Sequence, residues 1–288
     1  MKIGVDLGGT NIRAGLIDGK NIIKLSSTPL KHKNNLDSTL EQLKSIIHSV
    51  YNDQVRGIGL GVPSVVDLEK GIVYDVVNIP SWKKVHLRDI LEKEFNVPVF
   101  INNDVNCFVL GEKYFGYGQN HKTFVGITLG TGIGSGIIID NKLYSGNNCG
   151  AGEIGYLPYL EHDLEHYCGA NFFEKIHQTT AKQTAEEAKK NDPKALKLWA
   201  TFGHHLGVAL KSVVYAYDPE AIILGGTISK AYHFFEKEMM VSLNDCYFPN
   251  SIQKLKIYVS QVEHISMLGS AAQVDQYLEQ LVHLSKNN

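Results

Sequence analysis

The sequence has little of what marks a secreted, membrane-bound or nucleic-acid-binding protein. Its four cysteines are widely spaced and form no CxxC pair, so neither a disulfide framework nor a redox motif is expected. No apolar run approaches the roughly 20 residues that cross a bilayer, and no signal-like segment precedes the strand-like Met1–Val5. The 28 Lys and Arg residues nearly balance the 30 Asp and Glu residues, which leaves little net charge to attract nucleic acid or an anionic membrane. We therefore expect a cytoplasmic protein with free thiols and with neither nucleic acid nor membrane as a partner.

The sequence does contain an internal repeat. The segment Ile3–Lys20 aligns without a gap with Val125–Lys142, so that Leu7 meets Leu129 and Asp18 meets Asp140. Each copy reads as a strand, a glycine-threonine turn of positive φ, a second strand and a hairpin. A chain of 288 residues is long for one hydrophobic core. The repeat therefore predicts two lobes of similar architecture.

Around the repeats, apolar periodicity predicts alternating helices and strands. We expect helices over 36–51, 87–95, 105–115, 193–217 and 269–284, and strands over 55–61, 97–101 and 221–224. Strands that alternate with helices indicate an α/β protein with mixed sheets.

The glycine turns are candidate phosphate sites. Neither a Walker A loop nor a dinucleotide fingerprint is present. At Asp6–Asn11, glycines would let backbone N–H groups approach phosphate oxygens, and Asp6 would hold Mg²⁺ directly or through water. A plain hairpin is the favoured explanation of a single such turn. The second copy at Leu129–Gly136 has four glycines, more than a hairpin requires, which makes a second phosphate clamp the better interpretation. The third turn, Gly225–Ile228, follows an apolar strand and fits either an adenosine contact or an ordinary strand-to-helix turn.

Two acidic residues stand out from the remaining polar segments. Asp104 follows a predicted buried strand and begins a helix, where Asn103 or Asp104 would cap the helix. Phosphoryl transfer needs a carboxylate that orients and deprotonates the attacking hydroxyl, which favours Asp104 as a base. We interpret Asn102 and Asn106 as capping residues only. Glu153 lies among glycines, so a ligand would reach its carboxylate easily, although an exposed loop acid is the simpler reading.

Together these segments resemble the ROK family of bacterial sugar kinases and repressors over nearly the whole chain. The motifs are DLGGTNIR at Asp6–Arg13, GVPSVVD at Gly61–Asp67, NNDVN at Asn102–Asn106, LGTGIGSG at Leu129–Gly136, GAGEIGY at Gly150–Tyr156 and LGGTIS at Leu224–Ser229. The resemblance implies an actin-like ATPase (ribonuclease H-like) duplicated fold, with two lobes and a cleft between them. We place an N-terminal lobe at 1–105, completed by a C-terminal helix at 270–288, and a C-terminal lobe at 106–269.

The resemblance also implies ATP and Mg²⁺ as cofactors and a role for each motif residue. Asp104 is the expected base. The expected sugar-binding residues are Ser64, Asn78, Asn103, Asp104, Glu153 and Glu174. The expected nucleotide-binding residues are Asp6, Gly8, Gly9, Thr10, Asn11, Arg13, Gly130, Thr131, Gly132, Gly134, Gly225 and Gly226, with Asp6 at the metal.

The chain departs from the family pattern where relatives carry a zinc loop. Tyr156 stands in place of a histidine, and the cysteine-rich motif is shortened to Cys168–Glu174. One thiolate cannot supply the three that the motif provides, so we expect no structural zinc. His162, His166 and Cys168 remain the alternative metal ligands. Ser64 stands where many relatives carry glycine, which weakens any transfer of sugar specificity.

We therefore predict a kinase that transfers the γ-phosphate of ATP to the 6-hydroxyl of a hexose, with glucose as the leading substrate. N-acetylhexosamines, mannose, fructose and β-glucosides are the alternative acceptors, and a homodimer is expected. A repressor of this family carries a helix-turn-helix before its first phosphate turn. Here that turn begins within ten residues of Met1, so no DNA reader is expected. An actin-like ATPase or scaffold without sugar kinase activity is the alternative from another class.

Overall fold

The computed structural model describes residues 1–76 and 78–286 and divides into two compact units. Unit 1 comprises Met1–Gln119, Leu143–Ala151 and Val262–Asn288. Unit 2 comprises Asn120–Lys142 and Gly152–Gln261. The last two residues of the predicted helix 270–288 lie outside the described residues.

The elements follow one another along the chain in the order of their numbers within each class. The strands are β1 (Lys2–Leu7), β2 (Asn11–Asp18), β3 (Asn21–Pro29), β4 (Ile58–Val62), β5 (Val66–Asp67), β6 (Ile72–Tyr74), β7 (Lys84–Val85), β8 (Val99–Asn103), β9 (Phe124–Leu129), β10 (Ile133–Ile139), β11 (Lys142–Leu143), β12 (Pro158–Tyr159), β13 (His162–Asp163), β14 (Ala221–Gly225) and β15 (Lys256–Val259). The α-helices are α1 (Leu36–Val50), α2 (Leu87–Phe95), α3 (Asp104–Phe115), α4 (Leu164–Tyr167), α5 (Ala181–Lys189), α6 (Pro193–Tyr217), α7 (Tyr232–Asn244), α8 (Pro249–Lys254) and α9 (Ile265–Lys286).

Unit 1 is built on a five-stranded sheet in the order β3-β2-β1-β4-β8. β1 pairs antiparallel with β2 and parallel with β4, and β4 pairs parallel with β8. Apolar side chains of α1, including Leu43 and Ile47, are fully buried in a core that also contains Val5 and Leu60. The apolar residues spaced along α1 therefore pack this helix against one side of the sheet.

The C-terminal helix α9 packs closely against the rest of unit 1. A β-carbon on Gly4, Gly59, Gly111 or Gly269 would overlap backbone across these contacts, which join α9 to β1, β4 and α3. Because α3 packs closely against α9, α3 belongs to unit 1. The division in the structure therefore differs from the predicted boundary at 105. In addition, the structure assigns Leu143–Ala151 to unit 1, whereas the prediction placed this segment in the C-terminal lobe.

Unit 2 has a second five-stranded sheet, in the order β11-β10-β9-β14-β15. β9 pairs antiparallel with β10 and parallel with β14, as β1 pairs with β2 and β4 in unit 1. The long helix α6 packs against α7, and its buried residues include Trp199 and Phe202. The repeat read from the sequence is therefore a repeat of sheet topology.

The predicted positive φ is found at different residues of the repeat. Gly8, Gly9, Gly130 and Gly132 lie outside the left-handed region. The left-handed residues are instead in the following hairpins, at Gly19 in the first copy and at Asp140 and Asn141 in the second. Gly9 and Gly132 are instead explained by the close approach of other side chains, as described below. Within the described residues, no helix is both long and apolar enough to cross a membrane.

Candidate active site

The carboxyl ends of β1, β4 and β8 bring the predicted residues of unit 1 to one edge of its sheet. The strands are parallel, with Asp6 paired to Gly61 and Val62 paired to Asn103. Ligands of open α/β sheets bind at this edge. Three segments that are distant in sequence, at residues 6–11, 61–64 and 103–104, therefore meet there.

Asp6 forms an ion pair with Arg13 at this edge. Arg13 Nη1 donates to Asp6 Oδ2 over 3.0 Å, and the two side chains are 40% and 19% exposed respectively. Burial raises the pKa of the Asp6 carboxyl, while Arg13 and then His264 act in the opposite direction. A half-buried carboxylate fits Mg²⁺, which binds hard oxygen ligands and keeps several waters.

The first glycine turn is closed by its own backbone and by Asn78. The Gly8 N–H donates to the Asn11 carbonyl over 2.9 Å. A β-carbon on Gly9 would lie 2.7 Å from Asn78 Nδ2, a separation that real side chains do not reach. Gly9 thus lets Asn78 approach closely, which places a predicted sugar-binding residue on a predicted nucleotide-binding turn.

Asn103 and Asp104 stand where β8 passes into α3. Asn103 is the N-cap: its Oδ1 accepts from the N–H groups of Val105 at 2.8 Å and Asn106 at 3.3 Å. Its amide donates to the Ser64 carbonyl over 3.3 Å. Asp104 follows at the first helical position, half-buried. The capping role predicted for Asn103 or Asp104 thus falls to Asn103.

Asn102 and Asn106 do not cap the helix, so that prediction was wrong. Both are buried, and Asn106 Nδ2 donates to Asn102 Oδ1 over 2.9 Å. The Cys149 thiol lies 3.5 Å from each of these side chains. Buried amides need hydrogen-bond partners. Here the two asparagine side chains are partners of each other, beneath the end of β8.

A buried thiol lies close to both acidic residues of this edge. Burial raises the pKa of Cys107 well above its usual value, and the negative charges of Asp104 and Asp6 add to the effect. Both carboxylates therefore raise the pKa of the same buried thiol in the core of unit 1. Asp6 and Asp104, predicted separately as a metal ligand and a base, belong to the same acidic edge.

In unit 2 the second and third glycine turns meet. β9 and β14 run parallel with Gly225 paired to Thr128, so Gly130 and Gly226 follow neighbouring strand ends. Gly226 has a φ of +84°, and a β-carbon there would overlap the Leu129 carbonyl. By contrast, a β-carbon on Gly130 would meet nothing within 4 Å. The backbone at Gly130 is therefore open to an approaching phosphate, as a nucleotide site requires.

The shortened loop packs against the second glycine turn. This contact was not predicted from the sequence. The Ala170 N–H donates to the Gly130 carbonyl over 2.9 Å, and Gly169 packs on the backbone of Thr131 and Gly132. A β-carbon on Gly132 would overlap the Glu165 carboxylate. Glu165 lies against this candidate turn and was not predicted from the sequence, because the contact joins segments more than 30 positions apart in the chain.

Glu153 is placed by the close approach of Gly152 to β10. Gly152 has a φ of +92°, and Ser135 Oγ donates to its carbonyl over 2.6 Å. Glu153 itself is exposed. Partial loss of hydration, and then the charge of Glu165, raise the pKa of the Glu153 carboxyl. Glu153 and Glu165 therefore form a second acidic pair, in unit 2.

The remaining predicted residue, Glu174, lies exposed in a π-helical turn over Phe172–Ile176. Nearby in sequence, the rings of His162 and His166 stack 4.0 Å apart, and Cys168 is buried. Within the part of the chain that the structure describes, no group of three or more His, Cys, Asp and Glu residues is arranged to hold a metal ion. The expectation of no structural zinc stays a prediction.

Both the sequence and the fold are similar to those of known proteins. The sequence profile of the ROK family matches residues 2–276. A glucokinase from Thermotoga maritima is 29% identical, with 94% of this chain and 96% of that protein covered. The xylose repressor of Bacillus subtilis is 28% identical over 80% of this chain and 65% of its own. A ROK family glucokinase from Streptomyces griseus, solved with glucose and AMPPNP, superposes with a TM-score of 0.80 at 25% identity, covering 96% of this chain and 99% of that one. The fold is thus the duplicated actin-like fold, and the chain belongs to the ROK family.

Proposed function

We propose that this chain is an ATP-dependent sugar kinase that phosphorylates the 6-hydroxyl of a hexose, with glucose as the leading substrate. The observation that carries the proposal is the position of Asp104, a half-buried carboxylate at the carboxyl edge of the unit 1 sheet, next to a helix start fixed by Asn103. A family relative named glucokinase, and a solved relative holding glucose and a nucleotide, support the same reading. Cytoplasmic location and a homodimer belong to the proposal as well.

In the proposed reaction, Asp104 accepts the proton of the attacking sugar hydroxyl. Asn103 holds ring hydroxyls of the sugar, and its bond to Ser64 fixes the amide plane. The primary alcohol of a hexose is its most accessible hydroxyl, so it meets the base with least obstruction. Glu153, in unit 2, is a separate candidate for binding sugar hydroxyls.

The nucleotide would be bound by backbone and by the metal ligand. Backbone N–H groups of the turn after β1, in unit 1, would contact phosphate oxygens. Gly130 of unit 2, open on its Cα side, is a separate candidate for such contacts. Asp6 would hold Mg²⁺, and the ion supplies positive charge for the phosphates when it is bound. The ion pair with Arg13 opposes the rise in the pKa of the Asp6 carboxyl that burial causes.

The relatives include a repressor as well as kinases, so family membership alone does not decide for catalysis. A protein that only senses a sugar needs the residues that bind hydroxyls but has no use for a base. Asp104 lies half-buried at the carboxyl edge of the unit 1 sheet, where it can accept a proton, which favours the kinase.

ADP release with and without added sugar tests this proposal. The enzyme is incubated with ATP and Mg²⁺ and with glucose, mannose, fructose, N-acetylglucosamine, N-acetylmannosamine or cellobiose. We expect sugar-dependent release, fastest with glucose, and ³¹P and ¹³C NMR should place the phosphate on the 6-hydroxyl. Phosphate on a ring hydroxyl would refute the predicted acceptor position. ATP hydrolysis that is independent of sugar would instead indicate an actin-like ATPase, and absence of turnover would indicate a sugar-sensing protein.

A further inference from the structure

Lys33, in the loop between β3 and α1, reaches the first glycine turn. Its side chain is half-buried, and its ammonium donates to the Gly9 carbonyl. The lysine backbone is held as well: the Lys33 carbonyl accepts from Ser81 Oγ at 2.7 Å and from the Ser81 N–H at 3.3 Å. Both the start and the end of this side chain are therefore fixed at the edge that carries Asp6.

The charge of Lys33 is not balanced by an ion pair. In residues 1–76 and 78–286, no carboxylate lies within salt-bridge distance of its ammonium. Arg13, a second cation near this turn, is already paired with Asp6 at 3.0 Å. An ammonium carries three donors, and the Gly9 carbonyl accepts from only one of them. Two donors and a full positive charge therefore remain for a ligand.

Phosphoryl transfer creates a demand for such a cation. Negative charge is spread over the oxygens of the transferred group, and positively charged side chains and metal ions stabilise it. The chain lacks the P-loop lysine that serves many nucleotide-binding proteins. The group to be transferred must lie near the proposed base, and Lys33 and Asp104 belong to the same unit.

We propose that Lys33 binds the γ-phosphoryl group of the nucleotide at the turn formed by Gly8 and Gly9. This inference rests on the proposed kinase function, because it assigns the cation that such a reaction needs. It also explains why the ammonium pairs with a neutral carbonyl instead of a carboxylate. The Gly9 carbonyl positions the amine without cancelling its charge.

Calorimetry with the full-length protein tests the proposal by the number of phosphates on the ligand. The variant is Lys33→Met, and the matched control is Lys31→Met, which removes an equal charge from an exposed lysine two residues away. Each protein is titrated with AMPPNP, ADP and AMP in the presence of Mg²⁺. A hydrogen bond from a charged donor is typically worth a tenfold change in affinity or more. We expect Lys33→Met to weaken AMPPNP binding about tenfold while ADP and AMP binding stay unchanged, and Lys31→Met to change none of the three.

The outcomes separate this inference from the proposed function. Equal losses for all three nucleotides, or no loss for AMPPNP, would overturn the role of Lys33 while leaving a sugar kinase intact. A wild-type protein that binds no nucleotide would overturn both. Lys33→Arg keeps the charge and is expected to retain most of the AMPPNP affinity. If Lys33→Met unfolds, an AMPPNP-specific loss in Lys33→Gln carries the test, and unchanged AMPPNP binding in that variant would refute the proposal.

Discussion

The amide of Asn103 donates to the backbone carbonyl of Ser64 over 3.3 Å, which joins the segment after β4 to the end of β8. The same Asn103 side chain caps α3, so one residue fixes both the strand edge and the helix start. Asp104 follows directly on this fixed point. The candidate base is thus positioned by the fold rather than by a mobile loop.

Replacing the base should separate chemistry from binding. We expect Asp104→Asn to lower kcat for sugar phosphorylation by roughly 10²–10⁴-fold, because asparagine keeps the shape of aspartate but cannot accept the proton. Sugar affinity, measured by calorimetry, should stay within a modest factor. As a control, Asp89→Asn removes an exposed carboxylate of α2 and should leave kcat unchanged. Near-normal turnover in Asp104→Asn would remove this residue from the mechanism.

Two glycines at neighbouring strand ends of unit 2 should respond in opposite ways to alanine. Gly226→Ala puts a β-carbon on a residue with φ +84° and into the Leu129 backbone, so we expect a loss of about 2–5 kcal/mol in the free energy of unfolding. Gly130→Ala should change that free energy by less than about 0.5 kcal/mol, since its β-carbon meets no atom within 4 Å.

Nucleotide binding by the folded Gly130→Ala variant completes this test. The added methyl group would occupy the open side of the turn, so ATP affinity should fall several-fold while sugar affinity is unchanged. Unchanged nucleotide binding in Gly130→Ala would place the phosphates elsewhere. A fully stable Gly226→Ala would show that the turn has another conformation in solution.

Local signals explain why some elements could be predicted to the residue. The predicted helices at 87–95 and 193–217 match the structure at both ends. Asp192 caps α6 ahead of a proline at the first helical position, and Asn96 and Asp218 end their helices in the left-handed conformation. Such caps act within one turn of the chain, so a single sequence contains them.

Contacts between distant segments could not be predicted in the same way. The sequence located the glycine turns but not the residues that lie against them, Lys33 in unit 1 and Glu165 in unit 2. Neither residue belongs to a motif, and each reaches its turn through packing of other elements. The assignment of α3 to unit 1 was missed for the same reason, since it depends on its contact with α9. The strands Ile58–Val62 and Val99–Asn103 each begin and end later than predicted, by one to three residues.

The loop that replaces the zinc motif should hold its shape without metal. We expect elemental analysis of the purified protein to find well under one zinc per chain, and the thermal midpoint to be unchanged by EDTA. Cys168 is buried, and burial raises the pKa of its thiol, which disfavours the thiolate that zinc requires. Stoichiometric zinc would contradict the prediction, and variants of His162, His166 and Cys168 would then identify the ligands.

Acid should destabilise the aromatic cluster around His205 in unit 2. Burial, followed by the nearby His204 and His177, lowers the pKa of His205 to about 4, and its Nδ1 lies 3.0 Å from the Tyr159 hydroxyl. An unfolded histidine titrates near 6.5. Between these two values the unfolded chain binds a proton that the folded chain does not, so stability is lost as pH falls from about 6.5 to about 4. The loss attributable to this residue is roughly 2–3 kcal/mol. Urea unfolding at pH 7 and pH 4.5 should therefore show a smaller pH-dependent drop for His205→Gln than for wild type, whereas His233→Gln, at an exposed site, should behave as wild type. An equal drop in wild type and His205→Gln would show that other groups set the acid sensitivity.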